Sequence, residues 1–181
     1  MPDKKNICTG RSFGVLTQDR ALVKEAMSNF AATCAMKLRR QKSMAKDIKV
    51  FVNTNPHRLQ DKQYAHSICI KMELPSNSTP EIIKYALMAL DIIFKEGYNY
   101  MKCGVELYNF VPEDSFQRNL FAEADPKTKI VNSTVDQVNG DMGKDLVRYG
   151  IQGFTKAYKA RAEHLSPCYT TRINDIIKIK N

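Results

Sequence analysis

The stretch Asp47-Ile48-Lys49-Val50-Phe51-Val52-Asn53-Thr54 alternates cleanly: Ile48, Val50 and Val52 fall on one side, Lys49, Phe51 and Asn53 on the other. Alternation with period two predicts a strand with one buried face and one open face. Asn55-Pro56 breaks it. After a polar connection through Lys62, residues 66–74 alternate again, with Ile68, Ile70 and Met72 opposed to Ser67, Cys69 and Lys71. The two strands are expected to pair across a loop too long for a tight hairpin.

Helical signals flank this pair. Upstream, Leu22, Val23, Ala26, Met27, Phe30, Ala31, Cys34 and Leu38 recur at helical spacing, with Asp19 placed to cap the start. Lys37, Arg39, Arg40 and Lys42 gather at the far end, where cations suit the macrodipole. Downstream, Ser78 and Glu81 have capping-box spacing around Pro80. Ile82, Ile83, Ala86, Leu87, Leu90, Ile93 and Phe94 then line one face, and Gly97 is placed to end the helix. Residues 7–17 read as a short strand containing Gly10 and Gly14, glycines that mark a bulge or a close approach of another backbone. Residues 101–111 read as a fourth strand with Val105 and Leu107 in the core. The order is β-α-β-β-α-β, an α+β fold. Its economical packing is a four-stranded, mainly antiparallel sheet with both helices on one face. The open face would carry Lys49, Phe51, Asn53, Lys71 and Lys102, polar and net basic.

Composition narrows the function classes. The chain has 181 residues and a net charge of +9. Residues 1–72 hold fourteen basic and five acidic side chains, residues 73–125 four and nine, and residues 126–181 ten and five. A basic first block can meet a polyanion, of which nucleic acid is the commonest. No apolar run reaches the ~20 residues of a membrane helix, and no secretory signal opens the sequence. Five dispersed cysteines without a C-x-x-C pair fit a reducing cytosol better than a disulfide framework or a zinc site. His57, His66 and His164 lack ligand spacing, so no metal site is expected. No nucleophile elbow, Walker loop or zinc-protease motif is present. Cys168 and His164 stand four apart, but Pro167 interrupts any helix there and no third group completes a triad, so no catalytic residue is named.

Beyond Pro112 the character changes. Residues 112–128 read as an acidic, turn-rich linker in which Leu120-Phe121 is an isolated apolar pair. A helix over 129–139, a strand over 145–152 and a short helix over Lys156–His164 are expected in a small α/β tail spanning 129–181.

Gly10-Arg11-Ser12-Phe13-Gly14 resembles the start of the little-finger domain of UmuC-type Y-family DNA polymerases, the catalytic subunits of DNA polymerase V. The resemblance continues through Phe51-Val52-Asn53-Thr54-Asn55-Pro56 and Tyr98-Asn99-Tyr100-Met101-Lys102-Cys103-Gly104-Val105. It ends at Leu165-Ser166-Pro167-Cys168-Tyr169-Thr170-Thr171-Arg172, with Cys168 where the family is expected to have arginine. It implies the same β-α-β-β-α-β fold over residues 1–111 and a C-terminal fragment of an error-prone polymerase of SOS mutagenesis in the bacterial cytoplasm. The catalytic carboxylates and their Mg2+ would lie in a palm domain that nothing here matches, so the fragment itself needs no cofactor. The little finger grips primer-template DNA through phosphates. Arg11, Ser12, Lys49, Asn53, Thr54, Lys71 and Lys102 are the candidates, chosen for polarity and alternation. About four cationic contacts would give a log–log salt slope near −3.6.

Gln117-Arg118-Asn119-Leu120-Phe121 resembles the Q-x-x-L-F peptide by which bacterial polymerases bind the β sliding clamp, with Gln117, Leu120 and Phe121 as anchors. The bland alternative is that Leu120 and Phe121 pack on the chain's own helices. For the tail, the resemblance implies contact with the processed UmuD dimer or the RecA filament. The competing readings of the whole are a free-standing nucleic-acid-binding module and a protein-interaction module with no polymerase attached.

Overall fold

The computed structural model describes residues 4–115, 126–143, 145–154, 157–159 and 166–176. Four strands, β1 (Asn6–Thr17), β2 (Ser43–Thr54), β3 (Ala65–Ser76) and β4 (Tyr100–Pro112), alternate with α1 (Arg20–Arg40) and α2 (Thr79–Ile93), and α3 (Pro126–Asp141) follows. The sheet has the order β1-β4-β2-β3, and every neighbouring pair is antiparallel. Each helix therefore returns the chain to a strand two places away, and the two split β-α-β units interleave.

The alternation that predicted β2 decides its faces. Ile48, Val50 and Val52 are fully buried beneath the helices, beside Val105 and Leu107 of β4. Val23, Met27, Leu38, Ile82, Leu90 and Ile93 meet them from above. Asp19 caps α1 as its position predicts, accepting the Ala21 amide at 2.8 Å. β1 loses register between Ser12 and Thr17, around Gly14. α2 ends at Ile93, earlier than Gly97, which takes φ 79 in the turn beyond. The Tyr100 hydroxyl accepts the Lys95 amide and donates to its carbonyl, both at 2.9 Å, and so ties this turn to the sheet.

Two local expectations are corrected. Ser78 makes no capping bond to α2. The Thr79 amide donates instead to Oδ1 of Asn132 on α3, at 3.4 Å, while Asn132 Nδ2 donates to Ser78 Oγ. A side chain from a distant helix does the capping, which local spacing does not reveal. Residues 145–152 form no strand; they end in a 3-10 turn, Gly150–Gln152, closed by Gly153 at φ 59. Of the helix expected over Lys156–His164, residues 157–159 are described and form a turn and bend, while the others lie outside the described residues.

The described part of the tail packs on the helix layer. Arg39, near the end of α1, is the joint. Its Nε and Nη2 donate to the two carboxylate oxygens of Asp136, both at 2.7 Å. Its Nη1 donates to the Asn77 carbonyl at 2.7 Å and to Thr79 Oγ1 at 2.9 Å. Asn132, only 3% exposed, also accepts the Tyr149 hydroxyl at 3.0 Å. Asn29 Nδ2 donates to the Gln152 carbonyl at 2.6 Å, and the Tyr158 ring meets the Phe30 ring edge-on at 5.8 Å. The Gln152 contact explains why Asn29 is buried although it lies off the apolar face read from the sequence.

A bidentate Arg–carboxylate pair that is largely shielded loses most when one partner is removed. Asp136→Ala should lower unfolding free energy by about 1–3 kcal/mol in a urea titration. Asn132→Ala should cost about 1–2 kcal/mol, the range of a lost cap. Losses under about 0.5 kcal/mol for both would mean the joint contributes nothing to stability.

Candidate nucleic-acid interface

The face of the sheet away from the helices is built from cross-strand rows, each taking one residue per strand. In the order β1, β4, β2, β3 they are Ser12–Lys102–Asn53–Ala65, Gly10–Gly104–Phe51–Ser67, Cys8–Glu106–Lys49–Cys69 and Asn6–Tyr108–Asp47–Lys71. Strand pleat sends all of these side chains to one side. Ser12, Lys49, Asn53, Lys71 and Lys102 therefore share this face, and Ser12, Lys102 and Asn53 form a single row at one end.

Two candidates fall elsewhere. Thr54 is paired with Tyr100, is 4% exposed, and its hydroxyl donates to the Tyr64 carbonyl and accepts the Tyr64 amide. It pins the β2–β3 loop instead of facing solvent. Arg11 is exposed, but it opposes the buried Cys103 and so has the parity of the helix-covered side.

The face is less basic than the alternation of β2 and β3 implies. Asp47 and Glu106 share it, so three lysines meet two carboxylates. Glu106 accepts from Asn6 Nδ2 at 3.0 Å and lies 3.9 Å from Lys49 Nζ. Asp47 accepts from Asn109 Nδ2, and Asn109 takes the left-handed φ of 55 that asparagine tolerates. Reading β4 outward from Lys102 in steps of two would have found Glu106 and Tyr108. Lys46 and Lys71 flank a shallow hollow of about 400 Å³ with Asp47, Asn109 and Phe110. Basic groups thus stand at both ends of the face, six residues or roughly 20 Å apart along β4.

Gly10 and Gly104 oppose each other, and the Phe51 ring lies across both. A Cβ on Gly10 would come within 2.9 Å of the ring's Cζ, and one on Gly104 would come closer still. The predicted close approach at Gly10 is therefore that of a side chain on β2. Lys102 Nζ stands 5.9 Å from the ring centroid, an attractive cation–π placement.

Tyr108 also lies along the sheet. Its hydroxyl, on β4, donates to Cys69 Sγ on β3, two strands away. Burial, then the Cys69 thiol and the Asp47 and Glu106 carboxylates, push this hydroxyl well above the usual phenol range. It stays protonated and keeps its role as donor.

The remaining thiol chemistry is quiet. Burial raises the Cys34 thiol to about 11 and pushes Cys103 higher, so both stay protonated and unreactive. No group of three or more His, Cys, Asp or Glu is placed to hold a metal ion among the described residues. Among the same residues, no helix is long and apolar enough to cross a membrane. Gln117, Leu120 and Phe121 lie outside the described residues.

Residues 4–120 match the impB/mucB/samB family C-terminal domain, and residues 130–179 match a domain of unknown function, DUF4113. The chain is 32% identical to Protein UmuC of Salmonella typhimurium over 99% of its own length and 43% of that protein's. It is 33% identical to Protein ImpB of Salmonella typhimurium, over 97% and 42%. The match to Protein MucB of Escherichia coli is also 33%, over 94% of this chain and 40% of MucB. The chain thus spans about two fifths of these relatives. Among solved structures, the insertion ternary complex of Dbh DNA polymerase aligns with a TM-score of 0.43 and 16% identity, over 62% of this chain and 31% of that one. A Dbh-Dpo4-Dbh Y-family polymerase chimera aligns at 0.46 and 14%, over 61% and 30%. With 117 consecutive residues matched, from 4 to 120, the chain belongs to the impB/mucB/samB family through its C-terminal domain.

Proposed function

We propose that this chain is the DNA-gripping and clamp-tethering C-terminal region of an error-prone translesion DNA polymerase that acts in SOS mutagenesis and DNA repair in the bacterial cytoplasm. The observation that carries this reading is the row Ser12–Lys102–Asn53 on the open sheet face, in a chain of this family. A hydroxyl, an ammonium and an amide side by side suit phosphate oxygens. Phosphate contacts fix position without reading sequence, as a polymerase must when the template is damaged. Nucleotide transfer, with its carboxylates and Mg2+, would belong to a palm domain outside these residues.

Lys49 lies 3.9 Å from Glu106 and Lys71 is the cross-strand partner of Asp47, so these two lysines are shared with carboxylates, while the row of Lys102 carries none. Two to three released counterions give a log–log salt slope on primed duplex of about −1.8 to −2.7, shallower than the −3.6 expected from composition and pattern. Lys102→Gln should bring the slope about 0.9 closer to zero. A slope near zero for the intact chain would overturn the grip.

Clamp tethering rests on Gln117, Leu120 and Phe121 following β4 by a few residues. Leu120→Ala with Phe121→Ala should abolish micromolar binding to the β clamp in an anisotropy titration and leave duplex affinity within about twofold. Undiminished clamp binding by the double variant would remove the tether from the reading. Contact with processed UmuD or the RecA filament, assigned to the tail by resemblance, would use surfaces that α3 leaves exposed, where Ile130 and Val131 face solvent.

A further inference from the structure

Phosphates alone do not explain the middle of the open face. A surface made only for a polyanion gains nothing from two carboxylates, yet Asp47 and Glu106 sit between its lysines. Nor does it need aromatic rings. Phe51 and Tyr108 both lie along the sheet, one reaching from β2 over Gly104 and Gly10, the other from β4 towards Cys69 on β3. Each is only partly covered. The rings reach in opposite directions and their rows stand four residues apart, about 13 Å along β4.

Two glycines make the Phe51 placement possible. Any side chain at Gly104 would meet the ring and lift it off the sheet. The ring thus lies against glycine backbone and is partly exposed, with the Lys102 ammonium 5.9 Å from its centroid at the edge a stacked base would share. Tyr108 is tethered by its hydroxyl, so its ring is also held in place before any ligand arrives. Rings fixed in advance lose little entropy when something stacks on them.

Resting on the nucleic-acid reading of this face, we infer that its centre binds unpaired bases of single-stranded DNA, which stack on Phe51 and Tyr108. Every base has a π-face, so stacking tolerates sequence. The carboxylates of Glu106 and Asp47 accept hydrogen bonds from the amino groups of base edges, as acidic side chains do with cytosine N4. Lys102 at one end and Lys71 at the other take the phosphates that flank the stacked bases. Among the described residues, the neighbour of Glu106 Oε2 is the Lys49 ammonium at 3.9 Å, which leaves acceptor capacity for a base.

This arrangement makes a distinction that charge alone cannot. Oligonucleotides of equal length and charge should differ by their bases. Cytosine carries a π-face and an exocyclic amino group, thymine a π-face and a single ring N3–H, and an abasic strand none of these.

The test is anisotropy titration of the full chain with strands of roughly 15 nucleotides, a length that covers one such face. Oligo-dC should bind about tenfold or more tighter than an abasic strand of the same charge, with oligo-dT between them. Phe51→Leu keeps apolar volume without a ring and should remove most of that preference, and Tyr108→Leu, which takes away the second ring, should lower it as well. Equal affinity of the parent for dC and abasic strands overturns the inference, whatever the variants do. So does a Phe51→Leu chain, folded by circular dichroism, that keeps the full preference. Primed duplex titrated in parallel separates this result from the grip. Base preference with no duplex binding supports stacking and defeats the grip, whereas duplex binding without base preference does the reverse.

Discussion

Burial of Val50, Val52, Val105 and Leu107 beneath two helices fixes which way every other side chain of the sheet points. Strand pleat allows no compromise: a slip of one residue would put the lysines into the core and the valines into water. Because both helices lie on the same side, the opposite face is left to solvent. Its chemistry is whatever the intervening positions carry. Lys49, Phe51 and Asn53 are functional candidates because Val50 and Val52 are core residues. The fold and the candidate interface are two consequences of one alternation.

Most of the fold was legible because the signals were local. Period two in β2 and β3, helical spacing in α1 and α2, and the Asp19 cap each depend on residues close in sequence. What escaped depends on residues far apart. Asn132 supplanting Ser78 as the cap of α2 spans more than fifty positions. Asn29 is polar and off the apolar stripe, yet it is buried because Gln152 comes back to meet it. A strand was expected over 145–152, but among the described residues this segment pairs with no strand and closes in a 3-10 turn against α1.

The candidate site divides in the same way. Alternation placed Lys49, Asn53, Lys71 and Lys102 together, and the registers of β1, β2 and β4 added Ser12. Thr54, nominated with the others for polarity and alternation, has the parity of the core, like Val50 and Val52. Glu106 and Tyr108 were readable by counting from Lys102. The rest of the Phe51 story was not, since nothing near Gly104 in sequence shows that an aromatic ring from β2 needs the space its missing side chain leaves. Packing of α3 on the opposite, helical side leaves this face uncovered by any described residue of the tail. The Arg39 joint therefore stabilises the domain without competing for the interface.

The central claim is that the open sheet face, and not the helix layer or the tail, meets nucleic acid. Backbone amide NMR of the full chain titrated with primed duplex tests it residue by residue. The account predicts that the largest shift changes fall on Ser12, Phe51, Asn53 and Lys102, with α1, α2 and α3 little altered. Changes confined to α1, α2 or α3, with the four strands unmoved, would contradict it.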